Sequence, residues 1–577
     1  MALLVDFTVF NPDAGLRVDW EWHRQHSMTT WEKHGASKER IEFCDRILRS
    51  SGIADNSAAL PEWLQPDKSA EPKTDSVHSG REARMVQGQC IAELLFKTGI
   101  EPEQVDILVT NCSIYCPVPS MASMLVNMFG LREDVEAYHL GGMGCSMGVV
   151  GLNLVRDLLA ARPNSIALFV TNEVVTAGFY LGDRKEALVT NALFRMGGAA
   201  AILTNRPSWR LRAKYALAHV NRVHTGRFPR AYSCLNLEPD EEGHNGIVLT
   251  KDLPSEAALC LNKAIARAAP RVMTWRQYGE AAAHFARDFA AKASRRERPP
   301  AYQPDFTQCA DHFLIHAGGY AILQAIKKGL RLPAEKMMPA FVTLRDYGNT
   351  SSSSTWYTLA YIESCEGVRA NQKIMQIGVG GGMKAGVAIW RALRGFTDAH
   401  PAWAHLGGRR QVEAQLPRPI TVDYESRYDA RAAVEAQEKL RAAPRRPEAE
   451  RISFEPAKEP RRLNVRSWRD VSRTDAGDWW RRPPGQPLAE GEGEGEGEGE
   501  RGAAAQAAAG VQRGAEARPA PEAAGAEAEE PAAAAAAEAP LAAAEAGAFA
   551  ALEEASPAAK PSAARSVQVL AVAADDM

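Results

Sequence analysis

One cysteine of this chain stands where a thiol could do chemistry. The stretch HLGGMGCSMGVVGLNLVRDLLA runs from His139 to Ala160 and surrounds Cys145 with glycines, which allow a sharp turn and close approach of a ligand. The apolar spacing that follows predicts a helix with the thiol at its N-terminus. There the unpaired N–H groups and the helix dipole favour a thiolate. The pattern fits either an activated nucleophile or a small packed cysteine.

A nucleophilic thiol needs a proton acceptor, usually a histidine from elsewhere in the chain. In DHFLIHAGGYAIL, His316 follows an apolar run and precedes two glycines, and His312 lies four residues earlier on the same face of a helix or strand. Metal binding by the two histidines lacks an obvious third ligand nearby. In RDYGNTSSSSTWY, Asn349 can donate an N–H to a carbonyl oxygen. The four serines after it form either a tightly packed helix start or a loose linker.

The elements that must position these side chains alternate along the chain up to about residue 394. The runs VDILVTNCS, SIALFVTNEVV, AAAILTN and KIMQIGVGG are typical of buried strands, and SMLVNMFG and AILQAIKKGL are helical. This alternation predicts an α/β fold. A strand, glycine corner and helix occur in AYHLGGMGCSMGVVGLNL and are predicted again in MQIGVGGGMKAGVAIWRAL, which suggests two related halves.

Composition narrows the function classes. The chain has 577 residues, 45% of them hydrophobic, and a formal net charge of −3, so charge alone implicates neither nucleic acid nor an anionic membrane. The nine cysteines are scattered without zinc spacing, which indicates reduced thiols and no metal site. The sequence contains no signal peptide, no membrane-spanning apolar run and no dinucleotide fingerprint.

The C-terminal part of the chain changes in character after about residue 400. Arg-, Pro- and Glu-rich segments lead into EGEGEGEGEGE and then into Ala-, Glu- and Pro-rich sequence. With so few large apolar groups, this part cannot offset its ordering entropy. The sequence therefore predicts a linker over 401–424 and a disordered low-complexity tail over 425–577.

Five segments in this order resemble one family. They are LGGMGCSMGV, LFRMGGAAAIL, FLIHAGG, YGNTSSSSTWY and IGVGGGMK. Together they are similar to the plant-type 3-ketoacyl-CoA synthases, the condensing components of microsomal fatty-acid elongases, within the thiolase superfamily. The resemblance runs from LLVDFTVFNP to about AIWRALRG. It implies a dimeric thiolase-like αβαβα fold of five layers, with residues 1–205 carrying the cysteine and residues 206–400 carrying the histidine and asparagine.

The resemblance also implies a reaction. An acyl-CoA transfers its long or very long acyl chain to the cysteine, and malonyl-CoA then loses CO2 and attacks the acyl-enzyme to give a 3-oxoacyl-CoA. No metal or redox cofactor is implied. The family's catalytic residues fall on Cys145, His316, Asn349, His224 and His312. The implied oxyanion site includes the second glycine corner at Gly380, Gly381 and Gly382.

Two features depart from the family pattern. A further family histidine falls on Arg345, whose guanidinium cannot transfer protons as an imidazole does. Plant relatives carry membrane spans ahead of the segment matching LLVDF, so we expect those spans either to be missing from this chain or to be replaced by peripheral attachment. The segment from Met273 to Arg298, with aromatic and basic side chains, is either a membrane contact or an ordinary packed helix.

The resemblance places the protein at the cytosolic face of the endoplasmic reticulum membrane, with acyl-CoA and malonyl-CoA as substrates and other elongase subunits as partners. It implies a homodimer and no nucleic acid. Two alternatives stay open. One is a type III polyketide synthase-like enzyme that makes cyclised products, and the other is a catalytically impaired elongase scaffold, which only Arg345 supports.

Overall fold

The elements alternate as the sequence predicts. The computed structural model describes residues 1–18, 37–55, 57–65, 69, 71–297, 299 and 302–406. Within these ranges the strands are β1 Leu3–Val9, β2 Ile107–Cys112, β3 Glu136–Gly141, β4 Ile166–Glu173, β5 Gly197–Thr204, β6 Tyr215–His224, β7 Leu235–Pro239, β8 Asn245–Leu249, β9 His312–Ile315, β10 Lys373–Gly380 and β11 Lys384–Ala392. The α-helices are α1 Lys38–Ser50, α2 Ser76–Thr98, α3 Met121–Phe129, α4 Met147–Ala161, α5 Lys185–Leu193, α6 Pro229–Ser233, α7 Leu253–Val272, α8 Trp275–Ala293, α9 Tyr320–Leu330, α10 Ala334–Tyr347 and α11 Ser354–Tyr361.

The main sheet consists of two similar halves. Its strand order is β3-β2-β4-β5-β1-β6-β11-β10-β9, and β7 and β8 form a separate hairpin. In the first half β2 is parallel to β3 and β4, β4 is antiparallel to β5, and β5 is antiparallel to β1. The second half repeats this pattern, since β9 is parallel to β10, β10 is antiparallel to β11, and β11 is antiparallel to β6. The second half has no counterpart of β3 among the described residues.

The helices complete five layers. α4 lies between the halves, because it contacts β2 and β4 on one side and β6, β10 and β11 on the other. α11 shares this layer and contacts β1, β5, β9 and β10. α2 covers the outer face of the first half, and α7 covers the outer face of the second. This order of helix, sheet, helix, sheet and helix confirms the predicted αβαβα fold.

The helix after Cys145 forms and packs as its sequence predicts. It begins at Met147 and buries the apolar stripe of Val149, Leu152, Val155 and Leu159. Each buried aliphatic side chain of this size contributes about 1.5–3 kcal/mol. Gly148 brings this helix against the serine-rich turn, because a Cβ at Gly148 would lie 1.9 Å from the carbonyl oxygen of Ser352. The thiol therefore stands at the start of a rigid central helix.

The second glycine corner does not lead into a helix, so that prediction is wrong. β10 ends at Gly380, and the chain reverses through Gly382 (φ 63°) and Met383 (φ 38°) into β11. β11 is a central strand between β10 and β6, and seven of its nine residues are buried. A run of small, β-branched and aromatic residues suits a strand covered on both faces, and this tertiary context decides the structure. The halves therefore resemble each other in sheet order.

The last described segment is part of the core. Pro401–Leu406 form a 3-10 turn, and Trp403 is buried edge-on against the rings of Tyr347 and Tyr361. The indole N–H of Trp403 donates to the carbonyl oxygen of Tyr357 at 3.0 Å. The predicted linker therefore begins no earlier than residue 407. The rest of the predicted linker and the whole predicted tail lie outside the described residues.

None of the described helices combines the length and the apolar composition that crossing a membrane requires. The predicted boundary between the halves at 205/206 falls in the connection between β5, which ends at Thr204, and β6, which begins at Tyr215. That boundary stays a prediction.

Candidate active site

Three segments, each of which follows the end of a strand or helix, converge between the halves of the sheet. Cys145 follows β3 and precedes α4, His316 follows β9, and Asn349 follows α10. All three side chains line one cavity. The structure therefore brings together the thiol, the imidazole and the amide that the sequence singled out in three separate segments.

Two glycine corners press against each other beside Cys145. Positive φ angles at Gly142 (65°) and Gly144 (80°) turn the chain after β3. A Cβ on Gly144 would lie 2.5 Å from the backbone nitrogen of Gly381, and a Cβ on Gly380 would lie 2.4 Å from that of Cys145. The backbones of the two corners therefore approach each other at the thiol so closely that neither glycine has room for a side chain.

The cavity itself is mostly apolar. Together with the open solvent at its mouth, it holds about 830 Å³ of empty space. Beyond the three polar groups, much of its wall is hydrocarbon, including Val189, Leu193, Leu235, Leu253, Ile322 and Met383. Such a lining suits a ligand with a long apolar part that ends at the thiol.

His316 is held by one buried serine. Its Nδ1 lies 2.6 Å from Ser354 Oγ, which also accepts the backbone N–H of Ala317 at 3.3 Å and donates to the carbonyl oxygen of Ser351 at 2.9 Å. A hydroxyl has one proton to donate, and the Ser351 carbonyl takes it. Nδ1 must then carry the imidazole proton, and Nε2 is left with a lone pair. This tautomer assignment follows from the hydrogen-bond network.

Asn349 is oriented by hydrogen bonds at both ends of its amide. Its Oδ1 accepts the backbone N–H of Ser351 at 2.9 Å, and its Nδ2 donates to the carbonyl oxygen of Gly318 at 3.2 Å. These bonds fix which end of the amide is nitrogen. One Nδ2 hydrogen is used by Gly318, and the second is available to a ligand in the cavity.

Burial sets the resting protonation states. It raises the pKa of the Cys145 thiol to about 12, although the Ser351 hydroxyl acts in the opposite direction. Burial also lowers the pKa of His316 to about 4. At neutral pH the pair is therefore a neutral thiol and a neutral imidazole. Burial therefore acts against the predicted preference for a thiolate, whereas the helix dipole, worth about 0.3–1 kcal/mol, acts in its favour.

Sequence reasoning missed a buried carboxyl group near the thiol. Glu173 ends β4, and its Oε1 accepts the backbone N–H groups of Ser113 at 3.1 Å and Ile114 at 2.9 Å. The thiol of Cys112 lies 3.2 Å from the same oxygen. Burial raises the pKa of Glu173, and its charge acts to raise that of Cys145. A carboxyl at the end of a strand whose eight residues are all buried was the available signal.

His312 lies away from the cavity. It is the first residue of β9, at the end of the strand opposite to His316. Its Nδ1 lies 3.1 Å from the carboxylate of Glu366, and its Nε2 lies 3.2 Å from Oε1 of Gln372. These contacts connect β9 to the π-helical turn over Ile362–Glu366 and to the segment before β10. The predicted placement of His312 at the site differs from the structure, because four strand residues separate two positions by about 13 Å.

His224 and Gly382 lie beside the cavity wall. His224 is the exposed last residue of β6 and pairs in register with Lys384 of β11. A Cβ on Gly226 would lie 3.1 Å from Nε2 of His224 and 2.5 Å from the carbonyl oxygen of Gly382. Gly380 and Gly381 line the cavity, whereas His224 and Gly382 do not. Gly382 is part of the turn that carries the second glycine corner, and His224 lies opposite the start of the strand that follows this turn.

Arg345 is bound to its neighbour in the last turn of α10. Its Nη2 lies 2.8 Å from Oδ2 of Asp346, and Nε2 of His405 lies 3.2 Å from the same carboxylate oxygen. The carbonyl oxygen of Arg345 accepts the backbone N–H of Ala54. Arg345 does not line the cavity, so its guanidinium is not among the side chains that surround Cys145 there.

Among the described residues, the two groups of side chains that could ligate a metal ion lie away from the cavity. One is the exposed turn between β7 and β8, and the other contains Glu363, Asp398 and His400. In the second group the Lys214 ammonium lies 2.7 Å from Glu363 and already supplies a positive charge. Neither group contributes to the cavity lining.

Two family models match the chain. The model described as FAE1/type III polyketide synthase-like protein matches residues 1–289. The model for the C-terminal part of 3-oxoacyl-[acyl-carrier-protein] synthase III matches residues 307–392. Cys145 lies in the first match, and His316 and Asn349 lie in the second.

Curated relatives and a solved structure extend this similarity. The chain is 37% identical to 3-ketoacyl-CoA synthase 5 of Arabidopsis thaliana over 70% of its own length and 80% of that protein. It is 39% identical to 3-ketoacyl-CoA synthase 16 of the same plant, over 68% and 78%. The C-terminal type III polyketide synthase domain of Steely1, a type I/III hybrid from Dictyostelium, superposes with a TM-score of 0.52 at 19% identity. This match covers 68% of the chain and 99% of that domain, and it shows the shared fold.

Proposed function

Because the chain belongs to the FAE1/type III polyketide synthase-like family, we propose that it condenses malonyl-CoA with a long- or very-long-chain acyl-CoA. The products are a 3-oxoacyl-CoA, CO2 and CoA. One observation carries this proposal: Cys145, His316 and Asn349 share a cavity whose other walls are mainly apolar. The names of the curated relatives support the same reaction class.

The first half-reaction transfers the acyl group to Cys145. As the Cys145 sulfur attacks the thioester carbonyl, its proton moves to the Nε2 lone pair of His316. The new C–S bond forms while the carbonyl electrons move to oxygen. The tetrahedral intermediate then expels the CoA sulfur, which takes the proton from Nε2. Both groups are uncharged at neutral pH before the attack, because burial raises the pKa of the thiol and lowers that of the imidazole.

The second half-reaction forms the carbon–carbon bond. Malonyl-CoA loses its carboxylate as CO2, and the bonding electrons move into the thioester as an enolate. Asn349 Nδ2 donates to the enolate oxygen, and His316 adds a second donor when its proton lies on Nε2. The enolate carbon attacks the acyl-cysteine carbonyl and expels the Cys145 sulfur. A proton from solvent restores the thiol, whose pKa is raised by burial.

The glycine corners supply the oxyanion site in this proposal. Gly380 and Gly144 bring the backbone of the β10–β11 turn within contact of the backbone at Cys145. Backbone N–H groups at Cys145 and at the corner of Gly380, Gly381 and Gly382 are then the donors for the tetrahedral oxygen. Preorganised donors of this kind need no reorganisation during the reaction.

We also propose that the protein is a homodimer that pairs through β3. This strand is at one edge of the sheet, and its side chains are partly or fully exposed, with Tyr138 39% exposed. An unpaired edge strand is a template for another strand, and the family resemblance implies a dimer. Light scattering of the purified chain tests this proposal: a dimer mass supports it, and a monomer mass contradicts it.

Location and partners follow from the family alone. We propose that the enzyme works at the cytosolic face of the endoplasmic reticulum membrane beside other elongase subunits. The similarity to plant 3-ketoacyl-CoA synthases supports this proposal. Fractionation of cells that express the tagged chain, with co-purification of the other elongation enzymes, tests both parts.

The activity assay combines purified protein, malonyl-CoA and stearoyl-CoA, with products identified by mass spectrometry. We expect a linear 3-oxoacyl-CoA, and we expect Cys145→Ala to abolish it because no acyl-enzyme forms. Cys116→Ala is the matched control, since Cys116 is an exposed thiol outside the cavity lining. Full activity of Cys145→Ala would contradict the proposal, and cyclised polyketides would assign the chain to the type III polyketide synthase alternative.

A further inference from the structure

Helix α8 has its polar side against the protein and its aromatic side in solvent. It buries Gln277, which is 1% exposed, and Ala281. In contrast, Trp275 is 90% exposed and Phe289 is 74% exposed, with Tyr278 and Phe285 also exposed. Their spacings of three, seven and four residues place the aromatic residues on one face of the helix. This orientation is the reverse of that in an ordinary surface helix.

Hydrogen bonds hold the start of α8 in place. Thr274 and Gln277 form a capping box at its start. Gln277 Nε2 donates to the carbonyl oxygen of Asp305 at 2.8 Å, and the Tyr302 hydroxyl donates to the Gln277 carbonyl oxygen at 3.1 Å. Of the aromatic residues, Tyr278 adds to these contacts, because its hydroxyl donates to the carbonyl oxygen of Pro270. Each aromatic side chain can bury about 150–250 Å², so the face is suited to a partner that removes it from water.

The charge around this face favours an anionic partner. Residues 271–297 contain six Lys or Arg and three Asp or Glu, an excess of three positive charges in a chain whose formal net charge is −3. All six basic residues are exposed: Arg271, Arg276, Arg287, Lys292, Arg295 and Arg296. An amphipathic helix with aromatic residues on one face and basic residues at its flanks is typical of helices that lie in a lipid interface.

We propose that α8 docks in the plane of an anionic lipid surface. Trp275, Tyr278, Phe285 and Phe289 insert between the headgroups, and the basic residues contact lipid phosphates. This proposal rests on the orientation of α8 and does not depend on the condensing activity. Of the two alternatives for the segment from Met273 to Arg298, it takes the membrane contact, and Arg298 itself lies outside the described residues.

Vesicle sedimentation of the full chain tests the proposal. We expect the protein to sediment with phosphatidylcholine vesicles that contain phosphatidylserine, and to sediment less with phosphatidylcholine alone. The double variant Trp275→Ala/Phe289→Ala should lower the partition coefficient by about tenfold or more, because two inserted rings are lost. Phe96→Ala is the matched control, since Phe96 is a 58% exposed aromatic residue on α2, and it should not change sedimentation.

Three results would overturn the proposal. One is wild-type protein that does not sediment with the anionic vesicles, and another is a double variant that sediments as well as wild type. The third is a fall in oligomer mass in the double variant with unchanged vesicle binding, since it would identify a second copy as the occupant. Circular dichroism and condensing activity of the double variant, both expected to match wild type, exclude misfolding as the cause of lost binding.

A second inference concerns the serine beside His316 and rests on the proposed condensation. Acylation needs Nε2 of His316 as a proton acceptor, whereas enolate stabilisation needs it as a donor. Ser354 Oγ, the fully buried partner of Nδ1, can accept from Nδ1–H or, after rotation, donate to Nδ1. We infer that Ser354 is a positioning residue that serves both tautomers of His316 in turn.

Two variants and one spectrum test this role. Ser354→Ala should slow both acylation by acyl-CoA alone and CO2 release from malonyl-CoA by about 10²-fold or more. Ser354→Thr retains the hydroxyl and should recover most of both rates. In substrate-free protein labelled with 15N-histidine, the His316 signals should show Nδ1–H in wild type and a shift toward Nε2–H in Ser354→Ala.

The spectrum separates this inference from the condensing activity, because it needs no substrate. An unchanged His316 tautomer in Ser354→Ala would overturn the inference even if the enzyme condenses its substrates as proposed. Unchanged half-reaction rates in the folded Ser354→Ala variant would overturn it as well. Loss of both rates in Ser354→Thr with an intact Nδ1–H signal would show that shape at this position, rather than the hydroxyl, controls the reaction.

Discussion

In the first half of the sheet, the chain leaves β3 through glycines with positive φ and places Cys145 ahead of α4. In the second half, it leaves α10 through Gly348, also at positive φ (68°), and places Asn349 ahead of the Ser351–Ser353 turn and α11. Both residues therefore precede helices of the central layer, and both line the cavity. The same kind of position presents a nucleophile in one half and a hydrogen-bond donor in the other.

Strands that correspond in the two halves also lead to different residue types at their ends. β9 of the second half corresponds to β2 of the first, and the chain after β9 carries His316 while β2 ends in Cys112. Cys112 is fully buried beside Glu173, and burial raises its pKa well above the ordinary value. A thiol without access to the cavity cannot act as a nucleophile. Access, rather than residue type, separates Cys145 from Cys112.

The largest expected effect tests whether access to the cavity also decides which of the two histidines takes part in catalysis. His316→Gln should lower the acylation rate of Cys145 by about 10²–10⁴-fold, because it removes the proton acceptor. His312→Gln should leave that rate unchanged and lower the free energy of unfolding by about 1–3 kcal/mol, since it breaks the contact with Glu366. Intact-protein mass spectrometry measures the rates, and urea unfolding measures the stability. Equal rate losses in the two variants would contradict this division.

The contact between the glycine corners should come next in size. Gly380→Ala places a Cβ 2.4 Å from the backbone nitrogen of Cys145. Relief of that overlap should cost about 1–3 kcal/mol of stability and slow acylation by about tenfold or more, because the oxyanion donors move. Gly329→Ala is the control, since Gly329 is an exposed residue of α9 with no atom within 4 Å of its Cβ position. It should raise stability by about 0.5–1 kcal/mol.

The pH dependence tests whether the pair from the two halves is neutral. The pKa of His316 is lowered to about 4, so its lone pair is lost only as pH falls through that value, and the pKa of Cys145 near 12 keeps the thiol protonated. Acylation rates should therefore stay within about twofold between roughly pH 5 and pH 9. Rapid-quench sampling at fixed acyl-CoA measures this profile. A rise with a midpoint near pH 7 would indicate a thiolate–imidazolium pair instead.

The smallest expected effect concerns Arg345. Arg345→His restores the family residue but should change the condensation rate by no more than about twofold, because Arg345 lies outside the cavity lining. It should cost about 1–3 kcal/mol of stability through the lost ion pair with Asp346. Steady-state kinetics and thermal unfolding measure the two quantities. A large gain in rate would revive the impaired-scaffold alternative.

Local sequence patterns predicted much of the fold and the centre of the site. Apolar runs identified β2, β4, β5 and β10, and helical spacing identified α4 with its buried stripe. Cys145, His316 and Asn349 each lie beside a glycine turn, and such turns mark the places where the ends of strands and helices meet in an α/β fold. These predictions succeeded because local propensity and tertiary packing agree there.

The predictions that differ from the structure depend on long-range context. β11 resembles a helix in its sequence, but its position between β10 and β6 makes it a strand. His312 shares a strand face with His316, yet the length of β9 separates them. The protonation of Cys145 depends on burial by residues far away in sequence. Ser354 and Glu173 gained importance only from the contacts that folding gives them.

The measurement closest to the central claim is intact-protein mass spectrometry after incubation with acyl-CoAs of graded chain length. We expect one acyl adduct, mapped by peptide analysis to Cys145, absent in Cys145→Ala and discharged as 3-oxoacyl-CoA when malonyl-CoA is added. The preferred chain length would report how much of the apolar cavity the acyl group fills. Formation of 3-oxoacyl-CoA without an adduct on Cys145, or with an adduct on another thiol such as Cys116, would show that Cys145 is not the nucleophile.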